Sequence, residues 1–372
     1  MACDVFALAN VGVQGLHPYQ PGKPIEELQR ELGLDSVVKL ASNENPLGPS
    51  PVAMAAAQTA LKQSHLYPDA SGFELKKKLA AKLAVHENQF TLGNGSNDVL
   101  DLIARTFLSA GSSAVFSQYA FIVYPIAVQA VGARAIVTPA KNWGHDLDAM
   151  AAAIEADTKV VFIANPNNPT GNYLGREALS SFLAKVPEHV IVVLDEAYVE
   201  FAGVEDFPDG LTFLGDYPNI IVTRTFSKAY GLAGLRIGYG VSSPQIADLL
   251  NRVRAPFNVS IPAMSAAVAV LDDQDYLARS QQVNSAGMLQ LCSGFDALGL
   301  TYIPSVGNFV ALELPCDAMP IYQALLKEGV IVRPVGVYQM PKHLRVSIGL
   351  EHENARFLSA LQKLKSEGVL DQ

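Results

Sequence analysis

The sequence predicts an α/β fold: a large unit with a mostly parallel central sheet flanked by helices, followed by a smaller α+β unit. Three observations carry this expectation. Short, nearly continuous apolar runs rich in β-branched residues alternate with helical patterns, as strands covered on both faces do. Polar clusters sit where several of those runs end, and the strand signals pause before a shorter final set. A chain of 372 residues, 49% of them apolar, has material for two such units.

Residues 1–40 read as an N-terminal arm belonging to the smaller unit. Within it, His17-Pro18-Tyr19-Gln20-Pro21-Gly22-Lys23-Pro24 favours an extended, irregular path because proline biases the residue before it away from helix. Residues 41–264 form the expected large unit, with strands at 113–116, 135–137, 160–164, 190–194 and 219–223. The stretch 265–298 carries helical spacing, and short strands resume at 302–303, 309–312 and 344–348. The smaller unit is therefore placed at 265–372.

Composition narrows the function classes. Lys plus Arg number 27 against 36 Asp plus Glu, a formal charge of −9, so no phosphate-backbone footprint is expected and nucleic acid is not an expected partner. Cys3, Cys292 and Cys316 are too few and too scattered for a disulfide framework or a Cys-x-x-Cys site, which fits a reducing cytoplasm. The start of the chain lacks a basic stretch leading into an apolar run, and no apolar stretch approaches the roughly 20 residues that span a bilayer. A soluble protein with no membrane partner is expected. His86-Glu87-Asn88 and His352-Glu353-Asn354 fail the His-Glu-x-x-His spacing, so no metal site is expected. Gly93-Asn94-Gly95-Ser96-Asn97-Asp98 lacks the third glycine of a dinucleotide fingerprint.

Asn165-Pro166-Asn167-Asn168-Pro169-Thr170-Gly171, Asp195-Glu196-Ala197-Tyr198 and Thr225-Phe226-Ser227-Lys228 each follow an expected strand. Ligands bind at the carboxyl ends of parallel strands, so three clusters at one sheet edge imply one site. Together they supply what a pyridoxal-phosphate site requires. Lys228 offers the amine that attaches the cofactor and later moves a proton. Asp195 offers the anion beside the pyridinium nitrogen, and Asn168 and Tyr198 offer donors to the ring oxygen. Gly95, Ser96 and Asn97, opening a helical pattern through Val99, Leu102, Ile103 and Phe107, offer an anion cradle, completed by Thr225, Ser227 and Arg236.

Ser227-Lys228 with Arg236 eight positions on, inside Gly231-Leu232-Ala233-Gly234-Leu235-Arg236-Ile237-Gly238, resembles the lysine signature of fold-type I pyridoxal-phosphate aminotransferases. More narrowly, His17-Pro18-Tyr19, Leu40-Ala41-Ser42-Asn43-Glu44-Asn45-Pro46-Leu47-Gly48, Tyr67-Pro68-Asp69 and Leu344-Arg345-Val346-Ser347-Ile348-Gly349 resemble the histidinol-phosphate aminotransferase family. The resemblance covers essentially the whole chain. It implies amino-group transfer between histidinol phosphate and 2-oxoglutarate in two half-reactions, as part of histidine biosynthesis. It also implies that Phe121 stacks on the pyridine ring, where tyrosine is common. Tyr67 would reach the cofactor phosphate of a neighbouring subunit in a homodimer, and Tyr19 would lie over that neighbour's substrate pocket. Arg345 would grip the substrate anion, with Asn43 and Arg333 beside it. Asn97 stands where the family often has an acid, which leaves only its backbone role secure. An aromatic amino-acid aminotransferase and a threonine-phosphate decarboxylase remain alternatives on the same fold.

Overall fold

The structure is a computed structural model that describes residues 3–18 and 22–371; Tyr19 lies outside the described residues. Its centre is a seven-stranded sheet of β1 (Phe90–Gly93), β2 (Ser113–Ser117), β3 (Arg134–Thr138), β4 (Thr158–Ala164), β5 (Ile191–Asp195), β6 (Ile220–Thr225) and β7 (Gly238–Ser242). The spatial order is β1-β7-β6-β5-β4-β2-β3, and only β7 runs against the others. Helices cover both faces. Along β4, Val160 and Phe162 enter one core while Val161 and Ile163 enter the core on the opposite face. That two-sided burial is why the strands read as continuous apolar runs.

β1 and β7 were not among the expected strands. β7 reads Gly238-Tyr239-Gly240-Val241-Ser242, and glycine weakens a strand signal. The fold needs those glycines, because the helix α1 (Ser96–Phe107) lies directly over them. A Cβ on Gly238 would sit 2.5 Å from the Ser96 amide nitrogen, and one on Gly240 would sit 3.0 Å from Val99 Cγ1.

The second sheet is antiparallel, with β8 (Tyr302–Ile303), β9 (Phe309–Glu313), β10 (Arg333–Pro334) and β11 (His343–Ser347) in the order β8-β9-β11-β10. The start of the chain belongs physically with it. Val38–Lys39 pairs in parallel with Val330–Ile331, and Val38 and Leu40 share a core with Val310, Leu344 and Phe357. The arm also contains more helix than its prolines suggest: Val5–Leu8, Val11–Gln14 and Ile25–Leu32 are helical, the first two capped by Asp4 and Asn10 side chains.

The expected boundary between residues 264 and 265 falls inside a helix, Ile261–Val270, whose Ala263, Ala266 and Ala267 pack with Ala53, Ala57 and Phe90. We propose that the junction lies later, inside the long helix α2 (Gln274–Ala297). Its Tyr276 belongs to the core beneath the large sheet, while its Leu291 and Phe295 belong to the core of the small one. No helix among the described residues is long and apolar enough to cross a membrane.

Strand alternation sends neighbouring side chains of β5 and β6 to opposite sides. Asp195, Thr223 and Thr225 face one way; Glu196 and Arg224 face the other and form a buried ion pair. Arg224 Nη2 donates to Glu196 Oε2 at 2.7 Å and to Asp209 Oδ1 at 2.6 Å, and the Gly210 amide donates to Glu196 Oε1 at 2.7 Å. Burial pushes the Glu196 carboxyl above its ordinary range, against the pull of Arg224. Replacing Arg224 with methionine strands a buried carboxylate. The Arg224→Met chain should lose about 3–5 kcal/mol in denaturant unfolding at neutral pH. Because the stranded Glu196 takes up a proton more readily when folded than when unfolded, the deficit should narrow as pH falls toward about 4.3. A deficit that is absent, or constant with pH, would contradict this account.

Candidate active site

Because β1, β2, β4, β5 and β6 all run the same way, their carboxyl ends meet at one edge of the sheet. A pocket opens there, with one wall from the smaller sheet. It is lined by Asn43, Ser96, Asn97, Phe121, Asn168, Asp195, Tyr198, Thr225, Ser227, Lys228, Arg236, Arg333 and Arg345, among others. Gly95 adjoins it as the N-cap of α1. The three clusters that the sequence places at strand ends therefore converge, with Asp195 the last residue of β5 and Thr225 the last of β6.

Lys228 follows β6 in a tight turn, its amine donating to the Ser42 carbonyl at 3.1 Å and lying 5.8 Å from the centre of the Tyr198 ring. Burial pushes this amine down to about 7; the charges of Arg345 and Arg236 push the same way, and Glu44 opposes them. An amine held there is substantially unprotonated near neutral pH, the state in which nitrogen attacks a carbonyl.

Asp195 is buried and makes no ion pair among the described residues. Its Oδ2 accepts from the Tyr124 hydroxyl at 2.9 Å and its Oδ1 from the Thr223 hydroxyl at 2.9 Å. Burial pushes the carboxyl up, and the two hydroxyl donors restrain it.

The polar orientation of the rest follows from Arg345, which can only donate. Its Nη1 donates to Asn168 Oδ1 at 2.6 Å and its Nη2 to the Ala41 carbonyl at 2.8 Å. The Asn168 amide nitrogen must then face Tyr198, whose hydroxyl accepts from it at 3.2 Å. Ser347 fixes Asn43 in the same way: its hydroxyl accepts the Asn43 backbone N–H at 2.8 Å and donates to Asn43 Oδ1 at 2.9 Å. The Asn43 amide nitrogen therefore also donates to Tyr198 Oη, at 3.0 Å. With two donors on its oxygen, and burial pushing the phenol up to about 12, Tyr198 keeps its proton and can give a hydrogen bond into the pocket. Arg345 Nε is buried with no hydrogen-bond partner among the described residues, a donor open to an acceptor.

An anion cradle stands at the start of α1, whose first turn has no side-chain cap. Arg236, in the left-handed region at φ 55°, is tethered to Ser227 Oγ at 3.3 Å and to the Asn94 carbonyl at 3.2 Å. Gly95, at φ 82°, lets it approach: a Cβ there would lie 2.6 Å from Arg236 Nη2. These residues fit a phosphate, and with Lys228 and Asp195 they fit the donor, amine and anion requirements of pyridoxal phosphate.

Phe121 lines the pocket and meets Tyr124 edge-on, with ring centres 5.9 Å apart. Tyr67 is not brought to the pocket within one chain; it is 81% exposed and stacked on Phe257. Sequence reasoning missed Tyr124 and Thr223, which hold Asp195, and Tyr338, which lines the pocket from the smaller unit. The Ala41 and Ser42 carbonyls were missed too, because a backbone group leaves no mark in the sequence.

The Lys228 environment gives a direct test without cofactor. Acylation of the cofactor-free chain, followed lysine by lysine with mass spectrometry, should show Lys228 reacting with a midpoint at about 7. Ordinary lysines titrate near about 10.4. Lys228 should be sluggish below its midpoint, where it is protonated, and a midpoint at the ordinary value would refute the electrostatic reading.

Comparison with known proteins identifies the family. Residues 35–361 match the family described as aminotransferase class I and II. The chain is 62% identical over 370 residues to histidinol-phosphate aminotransferase 2 of Pseudomonas fluorescens, covering 99% of this chain and 100% of that protein. It is 61% identical to the Pseudomonas aeruginosa protein of the same name, covering 97% and 98%. Among solved structures, histidinol-phosphate aminotransferase from Sinorhizobium meliloti in complex with pyridoxal-5′-phosphate superposes with a TM-score of 0.88 at 32% identity, covering 96% of this chain and 97% of that one. A Thermus thermophilus aspartate aminotransferase, at 22% identity and a TM-score of 0.83, shares the fold. The chain belongs to the histidinol-phosphate aminotransferase family of the class I and II aminotransferases.

Proposed function

We propose that this enzyme transfers an amino group between histidinol phosphate and 2-oxoglutarate, with pyridoxal phosphate held at Lys228. The observation that carries the reading is a pocket with two separate anion sites around one low-lying amine. One is the α1 N-terminus with Arg236; the other is Arg345 with its unpartnered Nε and Arg333 on the same wall. The first suits the cofactor's phosphate, and the second suits the anionic group of an amino donor or a 2-oxo acid. Full-length identity to relatives that bear this name supports the choice of substrate.

When bound, pyridoxal phosphate supplies an electrophilic carbon and a ring that accepts the electron pair released at the substrate's α-carbon. Lys228 would hold it through the amine and, when its amine is free, would serve as the base that takes up and returns the substrate's proton. Asp195 would offer its charge to the ring nitrogen, Tyr198 and Asn168 would donate to the ring oxygen, and Phe121 would cover the ring face. Gly95, Ser96, Asn97, Thr225, Ser227 and Arg236 bind the phosphate. Asn43 and Arg345, with Arg333, orient the substrate.

We further propose a homodimer in which the exposed Tyr67 reaches the neighbour's phosphate site. Tyr67 borders a groove with Leu66, Val52 and Met264, an apolar surface suited to a second copy. Three free cysteines suit a reducing cytoplasm, where we place the enzyme.

Histidinol phosphate should exceed phenylalanine and tyrosine by at least about a hundredfold in kcat/KM with 2-oxoglutarate as acceptor, because a phosphate brings more charge and one more acceptor oxygen to Arg345 and Arg333 than the single carboxylate of either amino acid. A preference within tenfold would overturn the substrate choice. In the chain loaded with pyridoxal phosphate, Lys228→Ala should lose the visible absorbance that attachment to the lysine gives, along with multiple turnover, and turnover at the parental rate would sink the lysine's role.

Subunit mixing tests the shared site. Lys228→Ala and Tyr67→Ala chains should each be impaired alone, yet refolded together they should regain up to about a quarter of parental activity, since a mixed two-fold dimer has one intact site. No recovery would place Tyr67 outside the neighbour's site.

A further inference from the structure

We propose that Tyr124 is a positioning residue for the transamination: with Thr223, its hydroxyl holds the Asp195 carboxylate ionised and aimed at the cofactor's ring nitrogen. The inference rests on the reading of Asp195 as the partner of that nitrogen.

Tyr124 lies on the Val123–Ala130 helix, wholly buried, and its ring is fixed from three sides. It stacks on Phe162 with centres 4.8 Å apart and an angle of 14°, tilts against Phe116 at 6.4 Å, and meets Phe121 edge-on at 5.9 Å. A ring needed only for packing could be phenylalanine. A phenol this far from water must be given a polar partner, and the partner is Asp195 Oδ2 at 2.9 Å.

The chemistry of the donors decides the role. A buried carboxylate beside a lysine or arginine stays ionised, but its charge is then already neutralised. Asp195 instead has a neutral hydroxyl on each oxygen, from Tyr124 and Thr223. Neutral donors favour the charged form without cancelling it, so the negative charge stays available to a protonated ring nitrogen. They also fix both oxygens in place. The same Tyr124 ring braces Phe121, so one side chain sets the acid and supports the aromatic lining the pocket.

The test is pyridoxal-phosphate binding to the cofactor-free full chain, followed by absorbance from pH 5 to 8, together with steady-state kinetics. Asp195→Asn, which cannot titrate there, identifies the part of the acid-side loss of affinity that belongs to Asp195. In Tyr124→Phe, that acid limb should move upward by about one to two pH units, as expected when a charged group loses one hydrogen bond. The kcat should fall about tenfold with KM within about threefold, the signature of an interaction exerted in the transition state. Thr223→Val should move the limb in the same direction, which keeps the idea testable should the tyrosine variant fold poorly. Phe162→Leu removes the stack but keeps the hydroxyl and should leave the limb in place. An unmoved limb in Tyr124→Phe, or an equal movement in Phe162→Leu, overturns the role of the hydroxyl. If Asp195→Asn keeps the parental limb, the reading of Asp195 itself fails, an outcome distinct from failure at Tyr124.

Discussion

The hydrogen bond from Arg345 to Asn168 sets the orientation of the polar groups on the substrate side of the site. Arg345 belongs to the small sheet and Asn168 to the loop after β4 of the large one, so a 2.6 Å contact joins the two units at the pocket. A guanidinium cannot accept, so it dictates which end of the asparagine faces it, and that choice passes to the Tyr198 hydroxyl. Asn43, delivered by the segment that follows the arm, completes the chain of donors. Three distant stretches of sequence thus agree on the direction of one phenolic proton.

The electrostatics follow from enclosure. Lys228 loses solvent and lies within reach of two positive side chains, so its proton is loosely held. Asp195 loses solvent too, which pushes its carboxyl up, and two hydroxyls oppose that rise. The amine and the acid are therefore treated by opposite means in one pocket. Among the described residues the lysine makes no ion pair, whereas the acid is given donors that carry no charge.

Much of this was legible in the sequence, for physical reasons. Strands buried on both faces must be apolar throughout, which exposed β2, β4, β5 and β6, and ligand chemistry at strand ends must be polar, which exposed Asn168, Asp195, Tyr198 and Lys228. What escaped had the opposite character. β7 is a strand built partly of glycine because a helix presses on it, so the packing that defines it erases its propensity signal. Tyr124 sits at helical spacing among apolar residues and reads as core, which it is; only its hydroxyl does something more. Thr223 lies inside a strand where threonine is ordinary. The arm's short helices depend on caps from Asp4 and Asn10, a local signal that the prolines downstream obscure.

The helix α2 has one end in each hydrophobic core, Tyr276 under the large sheet and Leu291 with Phe295 under the small one. A rod of 24 residues cannot fray at its centre without withdrawing an anchor from one side or the other. The two hydrophobic cores thus share one continuous element. Turning one unit against the other would have to bend or pivot this helix.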